Sequence, residues 1–192
     1  MLEAADWSKS LPGGALARPA TRRLQARWRR RSPLALSVCL AACGGGGGSD
    51  NIGVPRNAAI VANADLSYYG LGLCGPQHTD LSSRKELCGA FKVPTLRNIG
   101  KTAPHFHNGR FAALEAAIGF YVRRDTNPEE WCPRNPDGTV VKFDDLPSEY
   151  HTNVNVSEVP YNRKPGEMPA LAASEIDDVV AFLKTLTDGY KP

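Results

Sequence analysis

A mainly α-helical, loop-rich domain is what this sequence predicts, on three observations. Leu114, Ala117, Ile118 and Tyr121 fall at i, i+3, i+4 and i+7, and Ile176, Val179, Val180 and Leu183 repeat a helical spacing. About 50 residues rich in Pro, Asn and Asp separate the two segments. Elsewhere no apolar period persists for long.

Asn51 to about Leu81 reads as loop, punctuated by Gly53, Pro55, Asn57, Asn63, Asp65, Gly70, Gly72, Gly75 and Pro76. A short helix is expected over Leu81–Cys88. The first amphipathic helix is expected at 113–123. The second is expected at 175–187, with Ser174 as N-cap, Glu175, Asp177 and Asp178 at its positive end, and Gly189 as its stop. The long connection between them exceeds the roughly 15 residues above which loops are usually functional or disordered. Within it, Thr139–Phe143 follows the Asp137-Gly138 turn signal and has the β-branched character of one short strand. So little internal periodicity suggests that something other than the domain's own side chains fills its centre. Met168, in the loop before Pro169, is expected to pack.

The composition is that of an ordinary globular domain, 42% hydrophobic and 22% charged, with an unusual front end. Residues 1–32 carry eight Lys/Arg against Glu3 and Asp6, a net +6, whereas the rest of the chain is net −3. A basic leader before a slightly acidic domain is a targeting pattern, and it argues against nucleic-acid binding, which would need the basic residues in the folded part. Arg29-Arg30-Arg31 precede an uncharged run, Pro33–Ala42, too short for the roughly 20 apolar residues that span a bilayer but of signal-peptide length. The run ends in Leu40-Ala41-Ala42-Cys43, which resembles a lipoprotein lipobox, followed by the flexible tether Gly44–Asp50. The chain thus divides into a signal or leader, 1–42, a lipidated Cys43 with its tether, 43–50, and a domain, 51–192. The competing account of the front end is a translated upstream region or linker with a chance cysteine. Lipidation at Cys43 would put the protein on the periplasmic side of the cell envelope, anchored to the membrane. An exported location permits a disulfide. Cys74 and Cys88 each precede Gly in a Gly-rich loop region, which makes them the expected pair, with Cα atoms within about 7 Å, and leaves Cys132 as the odd thiol.

The chemically informative segment runs from Phe91 to Ile99 (Phe-Lys-Val-Pro-Thr-Leu-Arg-Asn-Ile) and on through Thr102-Ala103-Pro104-His105-Phe106-His107-Asn108-Gly109-Arg110-Phe111. It has two proline-fixed bends, two histidines two apart and an arginine on either side. His105 and His107 as zinc ligands would lack a further Cys or carboxylate cluster. A hydrogen-bonded turn is the bland reading. A third reading has Arg and His facing the carboxylates of a buried anionic cofactor.

Phe91–Arg110 resembles, almost residue for residue, the stretch that follows the second haem in di-haem cytochrome c peroxidases and MauG-type enzymes. The likeness continues through Leu114–Tyr121 and resumes at Pro169-Ala170-Leu171 and Glu175–Thr187. Arg123–Pro128 and Lys142–Pro147 resemble the longer loops of the MauG-like subgroup. The resemblance covers about 140 residues. It implies a partial cytochrome c-like fold, haem c, peroxide reduction with electron transfer from a donor protein, and a calcium site. By position it implies Tyr121 as axial ligand, where peroxidases carry Met, and His107 as the histidine beside that haem. It also implies Thr102 and Pro104 as residues whose backbone carbonyls bind calcium. Tyr121 read on periodicity alone is a core aromatic.

The departure from the family is equally plain. Covalent haem c attachment takes Cys-x-x-Cys-His, and the 192 residues contain none; Cys74-Gly-Pro-Gln-His78 has one cysteine and the wrong residue for the second. The resemblance therefore implies the ligand side of one haem pocket without its anchoring side, and a chain inactive by itself. The alternatives are a non-catalytic lipid-anchored scaffold and a gene fragment. The expressed chain should accordingly give no band at its own mass on a haem-stained denaturing gel. A stained band there would mean that thioether attachment proceeds without the motif.

Overall fold

The computed structural model describes residues 48–65 and 69–189. The leader 1–42, Cys43 and most of the tether lie outside the described residues. Among those described, no helix is long and apolar enough to cross a membrane.

Regular structure is sparse. A two-stranded antiparallel ribbon joins β1 (Ser49–Asp50) to β2 (Phe91–Lys92), in register Ser49 to Lys92 and Asp50 to Phe91. Two α-helices follow, α1 (Leu114–Arg123) and α2 (Ala173–Thr185). Short 3-10 turns and loops make up the rest. α1 and α2 pack against each other, and Lys184 Nζ reaches Glu115 Oε1 at 2.9 Å across the pair. The apolar faces point inward as their spacing requires: Leu114, Val179, Val180 and Leu183 are buried, and Ile118 is half-buried.

Five local expectations are corrected. The α2 N-cap is Ala172, not Ser174. Glu175 at the third helical position accepts a hydrogen bond from the Ala172 N–H at 2.9 Å, which closes the first turn two residues early. α2 also ends at Thr185, before Gly189, which takes a left-handed φ of 72° beyond it. Leu81–Cys88 forms only the 3-10 turn Lys85–Leu87. Thr139–Phe143 makes no strand. Its β-branched residues contribute one isolated bridge, Arg134 to Val140, because the Asp137-Gly138 turn folds the chain back on itself, with Asn135 N–H donating to Thr139 O at 2.8 Å. Met168 does not pack: it is 80% exposed.

The core is aromatic. Phe120, fully buried on α1, meets Phe111 (ring centroids 5.4 Å), Phe106 (5.6 Å) and Trp131 (5.9 Å), with Val54 and Ala117 filling between. The centroid distances lie in the range aromatic pairs prefer.

A buried guanidinium ties this core to the irregular chain. Arg124, just past α1, is 1% exposed. It donates to Ile52 O (2.9 Å), to Asn155 O (2.7 Å) and to Asp125 Oδ2 (2.6 Å). Its guanidinium lies 4.3 Å from the Tyr161 ring centroid, a cation–π contact. Lys142 Nζ adds an ion pair to Asp125 Oδ1 at 2.6 Å.

A disulfide joins Cys74 to Cys88, with Cα atoms 4.8 Å apart. Beside it Gly72 (φ 57°) lies so close to β2's approach that a Cβ would stand 2.1 Å from Ala90 O, so only glycine fits. Cys132 is buried and free, and burial pushes its thiol up to about 11.

Two outcomes follow from this architecture. Arg124→Ala leaves Asp125 with Lys142 as its remaining cation and takes the donor from two half-buried carbonyls, and should lower stability by about 3 kcal/mol in urea titrations. An unchanged midpoint would show that the loops hold without Arg124. Because its thiol is held protonated, native Cys132 should react with iodoacetamide roughly a hundredfold more slowly than in the unfolded chain; equal rates would mean that the thiol is not buried in solution.

Candidate functional site

A cleft of about 900 Å³ opens between the ribbon, the 94–107 segment and the inner faces of α1 and α2. Its bed is aliphatic, with Leu96, Leu114, Ala117, Ile118, Val179 and Leu183. Tyr121, His107, Thr102 and Pro104 all line it, as do His105 and Phe106.

Each side is held by local chain geometry. β1 enters the cleft rim directly, and Val93 N–H donates to Gly48 O at 3.0 Å, so the start of the described chain forms part of the mouth. The Pro94–Ile99 segment is anchored to the end of α2. Asn98, in the left-handed conformation that Asn tolerates (φ 61°), donates its N–H to Leu186 O at 2.9 Å. The histidine turn is a closed loop. His105 N–H donates to Phe111 O at 2.8 Å and Gly109 N–H to Phe106 O at 3.2 Å, with Phe106 at φ 67° and a cis peptide before Pro104.

The two histidines differ. His105 is buried, and burial pushes its pKa below the ordinary value against a weaker opposing pull from Glu115, so it stays neutral. His107 stands on an exposed turn with its ring 19% exposed. The ring stacks on Phe91 at a centroid distance of 3.6 Å, and its Nε2 lies 3.5 Å from Asp145 Oδ2. Tyr121 comes from the cleft-facing side of α1, with Phe106 at 5.2 Å and Tyr161 at 6.3 Å between ring centroids. Burial, reinforced by Tyr121, drives the Tyr161 phenol far above the ordinary tyrosine range, so it remains protonated. Asp50, at the rim, is likewise raised by burial, against hydrogen bonds from Asn155 and Asn51.

The arginines expected to face an anionic cofactor turn elsewhere. Arg97 points outward and pairs with Asp188 at 2.9 Å, drawn there by the carboxylate that follows α2. Arg110 is exposed and leans over Phe111. Lys92 is the cation that lines the cleft among the described residues. Among those residues, too, no group of three or more His, Cys, Asp and Glu is arranged to hold a metal ion. The spacing of the sequence did not single out Asp145, Phe91, Asp50 or Tyr161 as cleft residues. Asp145 lies in the Lys142–Pro147 loop, whose sequence carries no period to aim it.

No family model matches the chain. The methylamine utilization protein MauG of Paracoccus denitrificans (strain Pd 1222) is 35% identical over 150 residues, which cover 74% of this chain and 34% of that protein. Cytochrome c551 peroxidase of Nitrosomonas europaea is 38% identical over 71 residues, 33% of this chain and 21% of that protein. The crystal structure of the diheme peroxidase BthA of Burkholderia thailandensis E264 superposes with a TM-score of 0.65 at 31% identity, over 85% of this chain and 44% of BthA. A tyrosine-to-methionine variant of BthA gives 0.66. The chain thus spans about a third of the length of MauG. Over the stretch shared with these proteins, in sequence and in fold, the chain is related to the MauG-like family of di-haem peroxidases.

Proposed function

We propose that residues 48–189 form one side of a haem pocket, and that the chain serves redox chemistry of the MauG-like kind, peroxide reduction with electron transfer, on the periplasmic side of the cell envelope. One observation carries the reading: Tyr121, His107, Thr102 and Pro104, matched to family positions from sequence, line one cleft. Its volume lies within the roughly 300–1,000 Å³ of cofactor sites, and its aliphatic bed suits a flat macrocycle. Haem, when bound, supplies the redox chemistry. Tyr121 offers the iron a phenol oxygen, harder than a thioether and favourable to the oxidised metal. His107 stands on the wall as a polar group, and the side chains of α1 and α2 exclude water. Thr102 and Pro104 offer carbonyls to calcium, which takes six to eight oxygens, so most of its ligands would come from elsewhere.

The absence of Cys-x-x-Cys-His from the 192 residues means that haem held by these residues is held without thioether bonds. On this reading the chain alone does not run the peroxidase reaction. The proposed partners are an electron-donor protein and, through lipid on Cys43, the membrane. The same absence favours a second reading, a non-catalytic lipid-anchored scaffold or the product of a rearranged gene. An interrupted attachment motif in the DNA upstream would identify the rearrangement.

Titration of the purified chain with haemin tests the pocket. One equivalent should bind with a perturbed Soret band, and Tyr121→Phe should alter that spectrum. Identical spectra would remove Tyr121 as ligand, and no binding would leave the scaffold reading.

A further inference from the structure

We infer that Asp145 is a positioning residue that fixes the tautomer of His107, so that the histidine carries its proton on Nε2 and presents Nδ1 to the cleft as a hydrogen-bond acceptor. His107 makes no hydrogen bond among the described residues, so no ordinary donor–acceptor pair sets its tautomer. What surrounds the Nε2 edge is electrostatically one-sided. Asp145 Oδ2 lies 3.5 Å away, on a side chain 6% exposed. That carboxylate is held in place from three directions. Asn108 Nδ2 donates to Oδ2 at 3.0 Å, Arg56 Nε lies 3.6 Å from Oδ1, and Gly70 N–H donates to the Asp145 backbone carbonyl at 3.2 Å. Oδ1, the oxygen toward Arg56, accepts no hydrogen bond, and Oδ2, the oxygen toward the ring, accepts from Asn108 alone, so each oxygen retains acceptor capacity.

A bare Nε2 would direct its lone pair at this buried carboxylate, a repulsive arrangement in a poorly screened site. An Nε2–H directs its positive end there instead. The ring cannot readily rotate away. Phe91 covers one face at 3.6 Å with the planes 6° apart. On the Nε2 edge Gly70 leaves just enough room, since a Cβ there would stand 3.0 Å from Nε2 and 3.2 Å from Asp145 Oδ2. With that edge enclosed by Asp145 and Gly70, Nδ1 is the nitrogen left for whatever occupies the cleft. The fixed tautomer is a property of the chain itself; only the use of Nδ1 toward a cleft ligand rests on the proposed haem-pocket reading.

Nitrogen-15 NMR of the histidine rings, on the purified full chain without added haemin at mildly alkaline pH, tests this separately from haemin binding. His107→Gln identifies the resonances. His107 should show a protonated Nε2 and an unprotonated Nδ1, with the tautomer ratio at least about tenfold one-sided. In Asp145→Asn, with a wild-type far-ultraviolet dichroism spectrum, the ratio should fall toward a mixture. A wild-type His107 that carries its proton on Nδ1, or mixes both forms, would overturn the inference even if the variant failed to fold. A folded Asp145→Asn with an unchanged, one-sided ratio would overturn Asp145 as the cause.

Discussion

The buried guanidinium of Arg124 is the constraint on which the rest of this structure depends. A chain with two helices and a two-stranded ribbon has few ladder hydrogen bonds to organise it. Most of its backbone polar groups must find partners in turns, side chains or water. Arg124 satisfies two of them from distant segments, Ile52 and Asn155, while its charge is met by Asp125 and its face by Tyr161. One side chain thereby sets the relation between the chain at Ile52, the end of α1 and the long connection from α1 to α2. A guanidinium suits this task because its donors lie in a fixed plane and reach several acceptors at once.

The cleft is the complement of that arrangement. α1 is buried on two sides: Phe120 and Val122 face the aromatic core or its surroundings, while Leu114, Ile118 and Tyr121 border the cleft. A helix used this way needs apolar residues round most of its circumference, as α1 has. On the cleft side α1 packs against α2, with Leu114, Val179 and Leu183 buried, and the aromatic core lies behind it. Separating the two faces lets the pocket wall keep its shape while leaving room for an occupant.

The legible part of the fold was the part governed by period. Both helices fall where the i, i+3, i+4 spacing put them, to within two residues. The cysteine pair was legible from its glycine neighbours, and the cleft-lining set from a long match to the family. Three things were not legible. The α2 start depended on a carboxylate reaching back to Ala172, a contact that competes with the equally reasonable Ser174 cap. Arg97 turned to Asp188 because of a partner 91 residues away, which no local pattern reports. Asp145 reaches His107 because Asn108, Arg56 and Gly70, all distant in sequence, hold it there, a tertiary effect in a segment without periodicity. Local signals specify elements, whereas the aim of a loop side chain is set by what the loop is tied to.

The ribbon at the cleft mouth has a consequence for whatever precedes it in the chain. Gly48, Ser49 and Asp50 border the opening, so the polypeptide upstream must depart from that spot. A chemical group borne a few residues before Gly48 can travel only about 3.3–3.6 Å per residue from the mouth.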